Sequence, residues 1–248
     1  PFSPIDEGCF RPLKVVIPAG KILSAKPPAP VGNWSRTLPT VIDLILRALA
    51  PAMPHKIAAG HKGDMGGYAF FGTDPRTGRR FLCQTIMGGG WGGRPHEDGE
   101  SATVSICQGD VQNAPIELQE LYYPVMIEQH RLREESGGAG RFRGGLGIAI
   151  TVRVLCDAFV NINVERTLTP PWGLFGGQCG EPAKALVKQD PNDRGSWVTK
   201  RPNYPLKKNG SVTYFTAGGG GYGPLEERSL ELTERDRRLG YVAATNLL

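Results

Sequence analysis

The stretch Gly147-Ile148-Ala149-Ile150-Thr151-Val152-Arg153-Val154-Leu155 and its continuation Ala158-Phe159-Val160-Asn161-Ile162-Asn163-Val164 decide the fold reading. Both are rich in β-branched residues and place apolar side chains at alternate positions, the period of a strand with two unlike faces. Working outward, Tyr68–Gly72, Arg80–Met87, Ala102–Gln108, Val125–Leu132, Lys184–Lys188 and Gly210–Phe215 read as further strands, as does Pro12–Pro18. Loops of Gly, Pro, Asn and Asp separate them, which is the turn chemistry of packed sheets. No βαβ alternation is present, so a doubly wound parallel sheet is not expected. The fold class expected is α+β: β-rich, mostly antiparallel or mixed packed sheets, a few helices and long glycine-rich loops. Residues 1–248 are read as one region, with two lobes dividing near residues 110–124 as the variant.

Three helices are predicted. Thr40–Ala50 (TVIDLILRALA) is apolar all round, so it should be buried against a sheet or a partner chain. Pro39 suits its first turn, Thr37 its cap, and Asp43–Arg47 an i,i+4 pair. Pro115–Tyr122 and the charged Thr233–Leu239 are shorter. The proline-rich Lys26–Pro30 should cross a surface without regular structure.

Composition narrows the function. The net charge is +5, but Lys and Arg are scattered. Without a basic stripe and aromatic platforms, no nucleic-acid partner is expected. The five cysteines include no CxxC pair, which excludes zinc-finger and dithiol redox motifs and leaves reduced thiols of a cytoplasmic protein. No run of about 18 apolar residues predicts a membrane span, and no signal peptide is visible. The chain opens on Pro1 without Met, so it reads as processed or as part of something longer.

Glycine, 34 of 248 residues, is about twice the usual ~7%. It gathers in five segments: Gly60–Gly67, Gly88–Gly99, Gly137–Gly147, Gly173–Gly180 and Gly218–Gly223. None matches a P-loop or a dinucleotide fingerprint. Gly88–Glu100 (GGGWGGRPHEDGE) is the richest chemically. His96 has the chemistry of a general base, or of a ligand together with Asp98, and Arg94 is a fork for carboxylate or phosphate. The competing reading is a surface turn with an internal Arg–Glu pair. His61 and Asp64 have the spacing of a metal pair, though two ligands do not make a site. Arg141 and Arg143 either cradle an anion or pair with Glu134 and Glu135. Four consecutive glycines at 218–221 fit where another backbone, a ligand or a subunit approaches closely.

Taken together, Glu7–Pro12 (EGCFRP), Pro27–Val31, Gly88–Pro95 with Asp98–Ser101, Asn113–Glu117, Ser136–Gly145 and Gly218–Gly223 resemble, in order and over nearly the whole chain, the C-terminal half of hydantoinase B/oxoprolinase proteins. The resemblance implies a cytoplasmic hetero-oligomer with a hydantoinase A-like ATP-binding subunit and a chain supplying the N-terminal hydantoinase B half. ATP and Mg would sit on the partner; a divalent metal (Zn or Mn) would belong to the complex without being assigned to this chain. The activity implied is opening of a cyclic amide such as 5-oxoproline, N-methylhydantoin or caprolactam after phosphorylation of the substrate. The alternatives are a subunit of an acetone or acetophenone carboxylase and a non-catalytic assembly chain. Arg94, Gly89, Gly90 and Trp91 are the expected substrate-binding residues. His96, Asp98 and Glu100 are the expected catalytic ones, orienting substrate or water.

Overall fold

The structure is a computed structural model that describes residues 8, 11, 12, 14–32, 34–108 and 111–242. Glu7, Cys9 and Phe10 of the first family segment lie outside the described residues. Among the described residues the strands are β1 (Gly67–Thr73), β2 (Arg80–Ile86), β3 (Val125–Leu132), β4 (Ile148–Val154), β5 (Ala158–Asn163), β6 (Lys184–Lys188), β7 (Ser196–Val198), β8 (Lys200–Leu206) and β9 (Ser211–Phe215). The helices are α1 (Trp34–Leu49), α2 (Ile116–Tyr122) and α3 (Leu230–Arg238). The fold is α+β and β-rich, as expected.

Two sheets form, with strand orders β2-β1-β5-β8 and β3-β4-β9-β6-β7, and every pairing is antiparallel. The short Leu155–Asp157 link carries the chain from one sheet to the other. Alternation then does what its period dictates. Tyr68 and Phe70 of β1 and Val160 and Ile162 of β5 point into one buried cluster with Ile150, Val152 and Val154 of β4 and Val212 and Tyr214 of β9. The Tyr68 and Tyr214 rings stack across the two sheets with centroids 6.0 Å apart.

Strands β7 and β8 have no counterpart in the sequence reading. KRPNYPL carries Pro202 and Pro205, which argue against a central strand. It forms because β8 is an edge strand, where a missing N–H leaves no ladder bond unmade. Conversely, the strand expected at Ala102–Gln108 does not form. Its backbone is spent on loops: Ala102 N–H donates to Leu146, and Thr103 exchanges bonds with Gly89. Lys14–Pro18 likewise carries no strand. Of the thiols described, Cys83 and Cys156 are buried and Cys179 is exposed.

Helix α1 corrects three expectations. It begins at Trp34, so Pro39 lies inside it. The Ser35 carbonyl that Pro39 cannot serve accepts instead from the Met65 N–H at 3.2 Å. Asp43 does not pair with Arg47; it binds Arg166, and Arg47 lies over the Trp172 ring. Finally, the helix is not wrapped in this chain. Ser35, Pro39 and Asp43 are buried, whereas Leu38, Leu44, Ile45 and Leu49 are exposed.

Candidate functional site

The five glycine segments meet. Gly218–Gly223 is the centre, and its successive amides donate to different neighbours rather than to one strand. Gly219 N–H donates to Gly145, Gly220 to Gly60, Gly221 to Gln178, Tyr222 to Phe142 and Gly223 to Leu174, all at 2.8–2.9 Å. The Gly220 carbonyl accepts from Gly93 at 2.8 Å, which brings in the fifth segment. Of the three readings of Gly218–Gly221, the close approach is that of other backbones. The amides of Gly89 and Gly90, two of the expected substrate-binding residues, donate within the bundle, to Thr103 and Ala217.

This bundle carries the turn at 94–100. Arg94 is half-buried and forms ion pairs with Glu97 and Glu100, each at 2.9 Å. His96, Glu97 and Glu100 are exposed. Trp91 is half-buried, its indole N–H donating to the Val104 carbonyl at 2.7 Å.

Beneath the turn lies a buried polar group. The His61 ring packs tilted against Trp91 with centroids 5.3 Å apart, and its Nδ1 accepts the Gly92 N–H at 2.8 Å. The His61 backbone N–H donates to Asp43 at 3.1 Å, and Asp43 also takes Arg166 (2.5 Å) and the Trp172 indole (2.8 Å). Helix α1 is thereby linked through His61 to the 88–100 loop. Lys62 is buried, donates from Nζ to the Met87 carbonyl and lies 3.6 Å from Asp64. Burial pulls its ammonium below the ordinary value, against the opposing pull of Asp64.

His61 and Asp64 therefore do not form a metal pair. The Nδ1 lone pair is spent on an amide and Asp64 is turned to Lys62. Among the described residues, no group of three or more His, Cys, Asp or Glu side chains is arranged to hold an ion.

Burial drives the His61 pKa from 6.5 down to about 4; Asp43 opposes this, and Arg166 and Arg94 reinforce it. The folded state thus stays unprotonated where the unfolded chain takes up a proton. Stability is full above pH 6.5 and falls as pH drops from 6.5 to 4, by roughly 3 kcal/mol. Denaturant titrations across that window should show the loss. His61→Asn, whose Oδ1 can take the Gly92 amide, should be less stable at neutral pH but flatter below it; an equally steep acid limb would refute the assignment.

Asp98 is a hub. Its carboxylate accepts two bonds from Arg228 (2.8 and 3.0 Å), one from Arg235 (2.5 Å) and the Arg143 N–H (2.7 Å). Arg228 and Arg143 also share Asp236 of α3. The expectation that Arg141 and Arg143 pair with Glu134 and Glu135 fails: Arg141 binds Glu227, and Glu134 binds Arg131. Burial opposes ionisation of Asp98, but Arg228 and Arg143 outweigh it and hold the carboxyl below its ordinary value.

Sequence reading missed Asp43, Lys62, Arg166, Trp172, Arg228 and Asp236 as parts of this region. One signal was legible: Asp43 stands alone in the apolar run VIDLIL, and a lone carboxylate there needs a buried partner. Nothing local marks Arg228, which is 130 residues from Asp98.

Comparison with known proteins agrees with the fold. The family model described as hydantoinase B/oxoprolinase matches residues 1–225. The chain is 30% identical to caprolactamase subunit beta of Pseudomonas jessenii, covering 97% of this chain and 43% of that protein. It is 32% identical to 5-oxoprolinase of Dictyostelium discoideum, covering 89% of this chain and 16% of that protein. The crystal structure of ATP-dependent caprolactamase from Pseudomonas jessenii superposes with a TM-score of 0.84 at 27% identity, over 97% of this chain and 43% of that one. Thus the chain spans about two fifths of the length of several curated relatives.

Proposed function

The chain belongs to the hydantoinase B/oxoprolinase family, and from that premise we propose that it is part of the B-type component of an ATP-dependent complex that opens a cyclic amide. The relatives support complex membership: they include subunits of ATP-dependent cyclic amide hydrolases. In this reading ATP and Mg are handled by a hydantoinase A-like subunit. The rest of the B-type component completes the site.

The observation that carries the reading is the 94–100 turn. It is held from below by His61 on Gly92 and from the side by the Asp98 hub, and it carries the half-buried Arg94 with the exposed His96 and Glu100. Arg94 is held only by exposed carboxylates, and such pairs are worth about 0–1 kcal/mol. An anionic group on an activated substrate can therefore displace them at little cost and take the guanidinium fork. In this reading His96 and Glu100 orient the attacking water, and Trp91 helps to seat the substrate. Asp98, all of whose contacts are to arginines and an amide, serves by holding the turn.

The test is the reconstituted complex with Arg94→Ala and His96→Ala. Cyclic-amide-driven ATP turnover should fall roughly 10²-fold for Arg94→Ala, the scale of losing one oriented charge donor. Unchanged turnover in an intact complex would show that the turn is not part of the site. Bicarbonate-dependent ATP hydrolysis stimulated by a ketone would instead identify the carboxylase alternative.

A further inference from the structure

Helix α1 sits the wrong way round for a surface helix. A helix on a globular chain turns its apolar stripe inward and its polar residues to water. Here Ser35 and Asp43 are buried, and the stripe Leu38, Ile42, Ile45 and Leu49 points outward. Those four positions follow the i, i+4, i+7, i+11 spacing of a seam that packs against another helix. Leu38, Ile45 and Leu49 are 45%, 53% and 41% exposed, and Ile42 is half-buried. The inversion is built in, because Asp43 is tied to Arg166, Trp172 and the His61 backbone and cannot turn outward without breaking all three. The apolar face is therefore presented permanently.

We propose that this face is the docking surface for the part of the B-type component that lies outside this chain, and that the contact is an apolar helix laid along α1. The inference rests on the family reading given above. Two observations choose the occupant. First, α1 lies within the stretch matched by the family model, and the chain accounts for only about two fifths of the length of its subunit relatives, whose remaining part would supply the cover in this reading. Second, the stripe is small. Sixteen residues give a helix about 24 Å long and about 10 Å wide. A footprint on the order of 240 Å² is well under the ~800 Å² per partner of a stable free-standing interface. Such a patch cannot hold a second copy of this chain by itself. It suffices where other contacts already hold the two parts together.

The test places a photo-crosslinking amino acid at Ile45 in the native assembly and identifies the crosslinked peptide by mass spectrometry. The expected product joins α1 to a segment of the B-type component other than residues 1–248, whether on the same polypeptide or another. A crosslink to α1 of a second copy, a crosslink to the ATP-binding subunit, or no crosslink in an intact assembly would each overturn the proposal. A second measurement separates docking from folding. In the native assembly, Ile45→Glu should leave backbone hydrogen exchange in β1–β9 within about twofold of wild type while speeding exchange in α1 and in the segment facing it at least tenfold. Unchanged exchange in the facing segment would refute the surface. The assembly's ATP turnover, assayed separately, reports on the functional reading independently of either result.

Discussion

Gly219→Ala is expected to abolish the native fold. A Cβ at residue 219 would sit 1.9 Å from the Trp91 carbonyl oxygen and 2.3 Å from its carbon. Both atoms are backbone, so no rotamer change relieves the clash. The surroundings cannot yield either: Trp91 is fixed by the Glu100 and Gly145 backbones, and the Gly219 N–H and C=O are bonded to Gly145 and Gly138. Overpacking against side chains costs about 1–3 kcal/mol. A clash against bonded backbone in the middle of five interlocked segments falls in the exceptional class above about 4–5 kcal/mol. Gly32→Ala is the control, since a Cβ there meets nothing within 4 Å and the backbone is not left-handed. Thermal unfolding monitored by circular dichroism decides the matter. Gly32→Ala should melt like wild type, and Gly219→Ala should be insoluble or lack a cooperative transition. A wild-type melting curve for Gly219→Ala would mean that the glycine segments are not packed as described.

Asp98→Ala comes next in size. The Asp98 side chain is 8% exposed and that of Arg228 6%. Removing the carboxylate leaves Arg228 buried with only Asp236 to compensate it and frees Arg235 and the Arg143 amide. Breaking a buried pair from one side costs about 3–5 kcal/mol. At roughly 2–4 °C per kcal/mol for a chain of this size, melting should fall by about 10 °C. Because the carboxyl is held below its ordinary value, its contribution is complete above the unfolded-state pKa. It is lost only as pH falls through the lower folded value. Asp98→Asn should therefore be destabilised at neutral pH and lose part of the wild type's decline at the acid end. Arg94→Ala, by contrast, removes only half-exposed pairs and should cost no more than about 1 kcal/mol. A melting temperature equally depressed in both variants would undo the distinction between a residue that holds the turn and one that the turn displays.

The same contrast explains how much of the candidate site was legible. The Arg94–Glu100 turn could be read because its partners are three and six residues apart. The glycine segments could be listed but not paired. A glycine that receives another backbone leaves no side-chain signature of which backbone it receives. Of the arginine doublet flanking Phe142, the nearest acids in sequence were the wrong partners: the bundle carries Arg141 to Glu227 and Arg143 to Asp236.

By itself the sequence determined most of the strands whose alternation sorts two unlike faces, the β-rich α+β class and, through ordered motifs, the family. These follow from local periodicity and from residues whose spacing is covalent. Only the tertiary structure decided that the five glycine segments form one bundle, that Asp43 faces inward and an apolar stripe outward, and that Asp98 gathers arginines from α3 and the loop before it. Those outcomes depend on hydrogen bonds and ion pairs between groups tens to more than a hundred residues apart. Which of them forms is set by where the packed sheets deliver the loops, not by any pattern along the chain.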